Sequence, residues 1–472
     1  MRKLKRTLKI FLKGLLSILI LLVLLLILSI PYGRTSEKKM IELGVNYQKI
    51  VIKGVHILPM ETNQVLYNQN IYIDNGSIWN ITPDTVPLFA DFEVIEAKGK
   101  FILPGLIDMH AHVFDRTDLP QYLSYGVTTV RNMMGFPMHL RWKEQLKQNK
   151  LIGGNLITST PTINSGDNSG PFHIAIEGAD EAKVVVNEYI DLGYDFIKVY
   201  DDLDSLQLNA IEKTAKLKNV KIAGHPPKIT LKGLLNSSLV SIEHSEELLK
   251  FLDKKYSEKS MRALAKKIKA SNKAVTINLL AFNRINRIVQ EGLTYYESLQ
   301  STNLNPVTRF IGRKQLEVYT KAGPKYKAFA VNKYRAMEKL SKILNEEGVT
   351  ILFGTDSGPN FIAAGPAIIE ELQLLKNAGL PEYDILKSAT CNAAKILGRN
   401  DLGSISIGSK ADLILIDKNP LNNLQSLSKI EYVFSNKKYY TNTQLDKVRS
   451  IGEDKQNTYA TIGLFLEHLI NK

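Results

Sequence analysis

The chain has 472 residues, 44% hydrophobic and 23% charged, enough for a large core and more than one domain. A single cysteine, Cys391, excludes an internal disulfide framework and a cysteine-based zinc site. The net charge of +14 is localised rather than spread, and no aromatic–basic module of a nucleic-acid binder accompanies it, so no nucleic-acid partner is expected.

Arg2, Lys3, Lys5, Arg6, Lys9 and Lys13 open the chain, and residues 1–30 hold no acid. Gly14 to Ile30 is uncharged and almost wholly apolar, about 26 Å of helix at 1.5 Å per residue. That is the short end of a membrane span, and longer than the roughly 7–15 residues of a signal-peptide core. No small-x-small cleavage pattern follows, since the exit reads Ser29-Ile30-Pro31-Tyr32-Gly33. Residues 1–33 are expected to be an uncleaved single-pass transmembrane anchor, basic end in the cytoplasm and catalytic body outside. A cleaved signal peptide is the alternative. Residues 34–47 read as a polar linker.

Residues 48–104 are β-rich. KIVIKGVHILP, VLYNQNIYID and SIWNITP are short strand-like runs, and Asn75-Gly76 joins the last two as a hairpin turn. A second β patch spans 401–445, with ADLILID at its centre. The expectation is one small β-sandwich domain built from both chain ends, followed by a helical tail over 446–472.

Between them, residues 105–400 alternate short apolar runs with helical patterns. The runs end near His112, Asn132, Ser159, Tyr200, His225, His244, Leu279 and Asp356. Helices are expected over 179–192, 206–217, 258–270 and 333–347. Eight strand–helix units predict an α/β domain of the (β/α)8 TIM-barrel type, with reactive residues at the carboxyl ends of the strands. Residues 280–349 form a long insertion between the last two strands, a candidate lid. Most of the remaining positive charge lies in 305–340, a basic run that reads as a solvated helix face, a contact for a substrate carboxylate or a contact for anionic lipid.

The chemistry-bearing residues gather at those strand ends. In FILPGLIDMHAHV, period-two alternation puts Asp108, His110 and His112 on one face, and two imidazoles so placed can bind one metal ion. In FIKVY, Lys198 shares a face with Phe196 and Tyr200, with Ile197 and Val199 on the other. A bare ammonium among metal ions is disfavoured by repulsion and desolvation. Carboxylation by CO2 would make it an anion whose two oxygens bridge two metals. The alternative is a lysine whose stem packs while its head snorkels or pairs with Asp201 or Asp202. Asp356, in Gly354-Thr355-Asp356-Ser357-Gly358, reads as a general base or as an ordinary turn aspartate.

Together PGLIDMHAH, GVTTVRN, GYDFIKVY, the strand-end His225 and His244, GTDSG, ATCNAAKILG and LGSISIGSKADLILID resemble the amidohydrolase superfamily, in its branch of imidazolonepropionase-like and prolidase-like metal-dependent hydrolases. The resemblance covers residues 48–445. It implies that His110 and His112 bind one of two divalent ions, taken to be zinc, and that His225 and His244 bind the other. It further implies that carboxylated Lys198 bridges the two, and that Asp356 binds the first and acts as base. Two ions roughly 3.5–4 Å apart acidify a water and polarise a carbonyl, and Asp356 can pass the water's proton to a leaving amine. Asn132 and Met134 depart from the family pattern, which has an acid and a glycine there. His173, in GPFH, stands where the family carries a substrate loop, and Tyr200 is a candidate oxyanion donor or a packing residue.

The expected function is a membrane-anchored metal-dependent hydrolase cutting an amide or other C–N bond, with a peptide-like or N-acyl amino acid substrate. The same scaffold also suits an ester, lactone or phosphotriester. A catalytically dead binding protein is disfavoured because no ligand position is missing. The expected partners are a small-molecule substrate and the membrane, with homo-oligomerisation left open.

Overall fold

The β-branched and apolar runs between residues 106 and 352 form parallel strands, each followed by helix, in a computed structural model that describes residues 2–36, 40, 43–167, 169–299 and 303–472. We number them β1 (Leu106–Ala111), β2 (Val127–Asn132), β3 (Asn155–Thr158), β4 (Phe196–Val199), β5 (Lys221–Gly224), β6 (Leu239–Glu243), β7 (Ala274–Thr276) and β8 (Thr350–Leu352). β1 to β3 pair in one sheet and β4 to β8 in another. A bridge from Ser159 to Phe196 joins β3 to β4, and one from Ala111 to Ser357 joins β1 to the chain leaving β8. Met109 N donates to Phe353 O (2.9 Å) and His112 N to Ser357 O (2.8 Å), so neither sheet is left with a free edge at these junctions.

Both chain ends contribute to one nine-stranded sheet, in which Leu413–Ile416 pairs with Phe101–Pro104 and that strand pairs with Lys49–Ile57. Alternation explains how one sheet serves two cores. Ile102, Leu413 and Leu415 pack in a cluster of the sheet's own, while Leu103, Ile414 and Ile416 join the main core. The Asn75-Gly76 turn closes the pair Asp74–Ser77, both turn residues at positive φ.

Five helices matter for the site. The apolar start is a helix, α1 (Arg2–Thr35), that runs past the expected boundary at residue 33 with Pro31 inside it. It is long and apolar enough to cross a membrane or serve as a signal sequence. The insertion folds as α2 (Leu279–Glu291), α3 (Pro306–Leu316) and α4 (Pro324–Glu346), with α4 starting nine residues before the helix expected there. The tail holds α5 (Thr458–Ile470), which is not peripheral. It lies parallel to the end of α1: Tyr459 donates its hydroxyl to the Leu25 carbonyl, and Arg34 pairs with Glu467 at 2.9 Å.

The α1–α5 contact is made by small residues, which let two helix backbones approach. A Cβ added at Gly463 would fall 1.8 Å from the Ser29 carbonyl oxygen. Gly463→Leu should therefore overpack the pair and lower stability by about 1–3 kcal/mol. Thermal unfolding of the full chain in detergent measures this, and an unchanged Tm would contradict the packing.

Candidate active site

The strand ends deliver the expected residues into one cavity of about 500 Å³. His110, His112, Lys198, His225, His244 and Asp356 all line it, as do His173 and Tyr200. On β4 the alternation holds: Ile197 and Val199 enter the main core while Lys198 faces the cavity.

His244 and Asp356 reach the cavity by a different route. Glu243 already points inward from β6, so an ordinary strand would send His244 outward. His244 instead has φ +65°, and Asp356 has φ +54°. Left-handed backbone at non-glycine residues is uncommon and gathers at functional sites. Gly354 permits the turn at Asp356, because a Cβ there would lie 2.8 Å from His110 Cβ and 2.7 Å from Thr276 Cγ2.

Two groups of donors result. Ligand atoms of His110, His244 and Asp356 lie within 4.8 Å of one another, and so do those of Asp201, His225 and Glu247. His112 Nε2 is 3.1 Å from Asp356 Oδ1, and His110 Nε2 is 3.5 Å from it. The His225 ring lies 4.8 Å from that of His244, with its Nδ1 2.9 Å from Asp201 Oδ1. The expected pairing of His225 with His244 thus appears as two adjacent rings whose carboxylate neighbours differ.

Burial sets the protonation. It pushes the His244 imidazole down to about 4 and His110 well below its ordinary value, with the Lys198 charge adding to the fall at His110. Neutral rings keep a lone pair for a metal. Burial opposes ionisation of Asp356, but contact with His112 and the nearby His244 and His110 holds its carboxyl below the usual range. Burial brings the Lys198 ammonium down to about 8. Among the described residues no carboxylate stands within ion-pair reach of it. Asp201 faces His225, and Asp202 pairs with Lys228 at 2.7 Å.

His173 and Tyr200 form the outer wall, with ring centroids 4.8 Å apart, and Tyr200 lies 4.1 Å from His225. Burial lowers His173 to about 4 and raises the Tyr200 phenol. Asn132 does not face the site as an acid would. Its side chain accepts from Val113 N and donates to Met134 O and Thr158 Oγ1, fixing the β2 end. The insertion contributes Phe282, Ile285, Thr308, Ile311, Gln315 and Tyr319, whereas the expected contact of its basic run with a substrate carboxylate is not seen in the lining of this cavity.

Sequence reasoning missed the support beneath His110. Glu243, fully buried, receives His110 Nδ1 at 2.9 Å, Arg131 Nη2 at 2.7 Å and Ser241 Oγ at 2.5 Å. A carboxylate on the second nitrogen of a histidine fixes its tautomer and raises its basicity as a ligand. Asp108 ties the β1 end to the Asp356 turn, accepting from His110 N (3.0 Å), Thr355 N (3.2 Å) and Thr355 Oγ1 (2.6 Å). The only signal in the sequence was a charged residue inside each of GVTTVRN and VSIEH.

The chain belongs to the amidohydrolase family, whose model matches residues 101–441. With that family it is a hydrolase acting on carbon–nitrogen bonds. A 5-methylthioadenosine/S-adenosylhomocysteine deaminase of Caldanaerobacter subterraneus is 22% identical over 78% of this chain and 85% of the relative. The imidazolonepropionase of Thermoanaerobacter pseudethanolicus is 23% identical over 76% and 86%. Bottromycin amidohydrolase superposes with a TM-score of 0.71 at 22% identity, over 91% of this chain and 93% of that one. A Xaa-Pro dipeptidase gives 0.66 at 20%, over 84% and 100%. The structural likeness is one of fold.

The buried Arg131–Glu243 pair gives a stability prediction. Glu243→Leu strands the Arg131 charge and should cost about 3–5 kcal/mol, whereas Arg131→Met with Glu243→Leu should recover most of the loss. Urea unfolding of the three variants checks this. A double variant no more stable than Glu243→Leu would show that the pairing is not what holds Glu243.

Proposed function

We propose that this protein is a membrane-anchored, binuclear metal-dependent amidohydrolase. In this reading His110, His112, Lys198, His225, His244 and Asp356 hold two divalent ions, zinc by donor type, with Lys198 carrying a CO2-derived carboxylate between them. The observation that carries it is the convergence of His110, His244 and Asp356 donor atoms within 4.8 Å, beside a buried lysine with no carboxylate partner among the described residues. The donor set fits such ions: among the described residues, His112 Nδ1 and His244 Nδ1 are buried and make no hydrogen bond. The closed circuit of parallel strands is read as a (β/α)8 barrel with the β sheet of residues 48–104 and 401–445 attached.

Bound divalent ions would supply an acidified water and a polarised carbonyl. Asp356 takes the proton of the attacking water and delivers it to the leaving nitrogen. Glu243 holds His110 in place during this, and Tyr200 is positioned to donate to the developing oxyanion. The lid keeps bulk water out above them. The substrate is a small molecule with an amide or other C–N bond, of the peptide-like or N-acyl amino acid kind, which the names of the relatives and the cavity volume support. The apolar stretch of α1 and the basic residues that open it support an anchor with the amino terminus cytoplasmic and the catalytic body outside.

Protein purified with bicarbonate should contain about two divalent ions per chain by elemental analysis. A trace only, with full activity, would end the metal reading. Lys198→Ala should be inactive but regain part of its activity and metal content with added acetate or propionate, saturably, because a short acid can enter the vacated space. Lys198→Met keeps the stem and should fold normally without activity. If Lys198→Met is active, or no acid rescues Lys198→Ala, the lysine is a packing residue.

A further inference from the structure

The lid is amphipathic in an unusual way. Its inward residues close the cavity, and its outward face carries Leu293 (58% exposed), Phe310 (61%), Val318 (67%) and Phe329 (48%). Interleaved with them are Arg313, Lys314, Lys321 and Lys325, which form no ion pair among the described residues. Acids on residues 291–329 number three, Glu291, Glu297 and Glu317, against six cations, and Glu291 is already paired with Arg287 at 2.6 Å. Single exposed apolar residues need no explanation. Large apolar side chains alternating with unpaired cations on one exposed segment are the composition of a helix that lies in a membrane surface.

A second observation fixes where this face sits. α5 runs parallel to the end of α1, so its first turn lies at the end nearest the apolar run, with Tyr459 on Leu25 and its ring 5.2 Å from Tyr32. Tyrosines at that level suit a membrane–water boundary. The same part of α5 holds the lid: Asn305, at the head of α3, donates to Thr461 Oγ1 at 2.8 Å and to Gln456 O at 3.2 Å. Further along α5, Phe465 packs against Phe114 and Phe172 of the cavity wall, at 5.5 and 5.3 Å. One helix thus ties the entrance of the cavity to the anchor, lid on the side nearest the bilayer.

A third concerns the cavity itself. Among the described residues Lys198 is the only lysine or arginine lining it, and its walls away from the proposed metal residues include Phe114, Met134, Phe172, Phe282, Ile285 and Ile311. From its mouth a file of rings leads outward: Tyr319 lies 6.3 Å from Tyr326, which is 5.8 Å from Phe329.

We infer that the outer face of the lid rests on anionic phospholipid, and that the substrate is an amphiphilic amide whose acyl chain enters the cavity from that surface. Unpaired lid cations meet lipid phosphates, the exposed Phe310 and Val318 enter the headgroup boundary, and the aromatic file gives an acyl chain an apolar path to the scissile bond. The inference rests on reading α1 as an anchor and the site as an amidohydrolase.

The test uses the full chain in vesicles of phosphatidylcholine and phosphatidylglycerol with a headgroup nitroxide lipid. A fluorophore is placed at Phe310→Cys or, as a distant control, at Leu217→Cys (88% exposed), each with Cys391→Ser. The Phe310 probe should be quenched several-fold more than the Leu217 probe, and the excess should fall in phosphatidylcholine alone. Equal quenching at both positions, with the chain still on the vesicles, overturns the surface assignment; a chain that does not join vesicles overturns the anchor and this inference together. With unlabelled protein, kcat/KM for an N-dodecanoyl amide should exceed that for its N-acetyl analogue by at least about tenfold, reflecting apolar chain burial. Preference for the acetyl compound, or hydrolysis of neither, overturns the substrate class, while the probe still decides the surface.

Discussion

A lysine only 2% exposed, facing a cavity with five imidazoles and one aspartate, is the constraint on which the rest of the site depends. A buried ammonium with no carboxylate partner among the described residues is disfavoured in its charged form, and burial, against the pull of the Glu243 charge, lowers Lys198 to about 8. The chain has carboxylates close by but uses them elsewhere, Asp201 against His225 and Asp202 against Lys228. In the proposed function, a group that turns this side chain into an anion and shares it between cations would resolve the conflict, with the neutral rings of His110 and His244 among the ligands.

The scaffold meets this demand with backbone as much as side chains. Positive φ at His244 and Asp356 turns both residues into the cavity against the ordinary alternation of a strand. The bond from Asp356 N to His110 O (2.7 Å) and the Asp108–Thr355 pair hold the Asp356 turn against β1. Below them Arg131, Ser241 and Glu243 form a buried charged unit whose remaining valence is spent on one ring nitrogen of His110. Removing Arg131 or Glu243 leaves the other's charge buried without its counterion, so the position of His110 is strongly determined.

Much of this was legible in the sequence because strands obey a period of two and barrel-type folds expose strand ends. The ends at His112, Tyr200 and His244, the hairpin at Asn75-Gly76 and the helices over 179–191 and 258–270 follow from local pattern. Arg131 and Glu243 were not legible, since they meet only through the register of strands more than a hundred residues apart. Nor was the inward turn of His244, which is set by one dihedral angle. The single nine-stranded sheet and the docking of α5 on α1 depend on long-range packing that no local window contains. The basic run of the lid read as a substrate contact because its charge is plain in sequence, whereas the side of the helix it occupies is fixed only by packing.

The account reduces to what lies between Lys198 and its neighbours. A crystal structure of protein prepared with zinc and bicarbonate, with diffraction data on both sides of the zinc absorption edge, tests it most directly. The account predicts two anomalous peaks, one among His110, His112 and Asp356 and one beside His225 and His244, with planar density extending from Lys198 Nζ between them. A bare Lys198 side chain with one peak or none would contradict it.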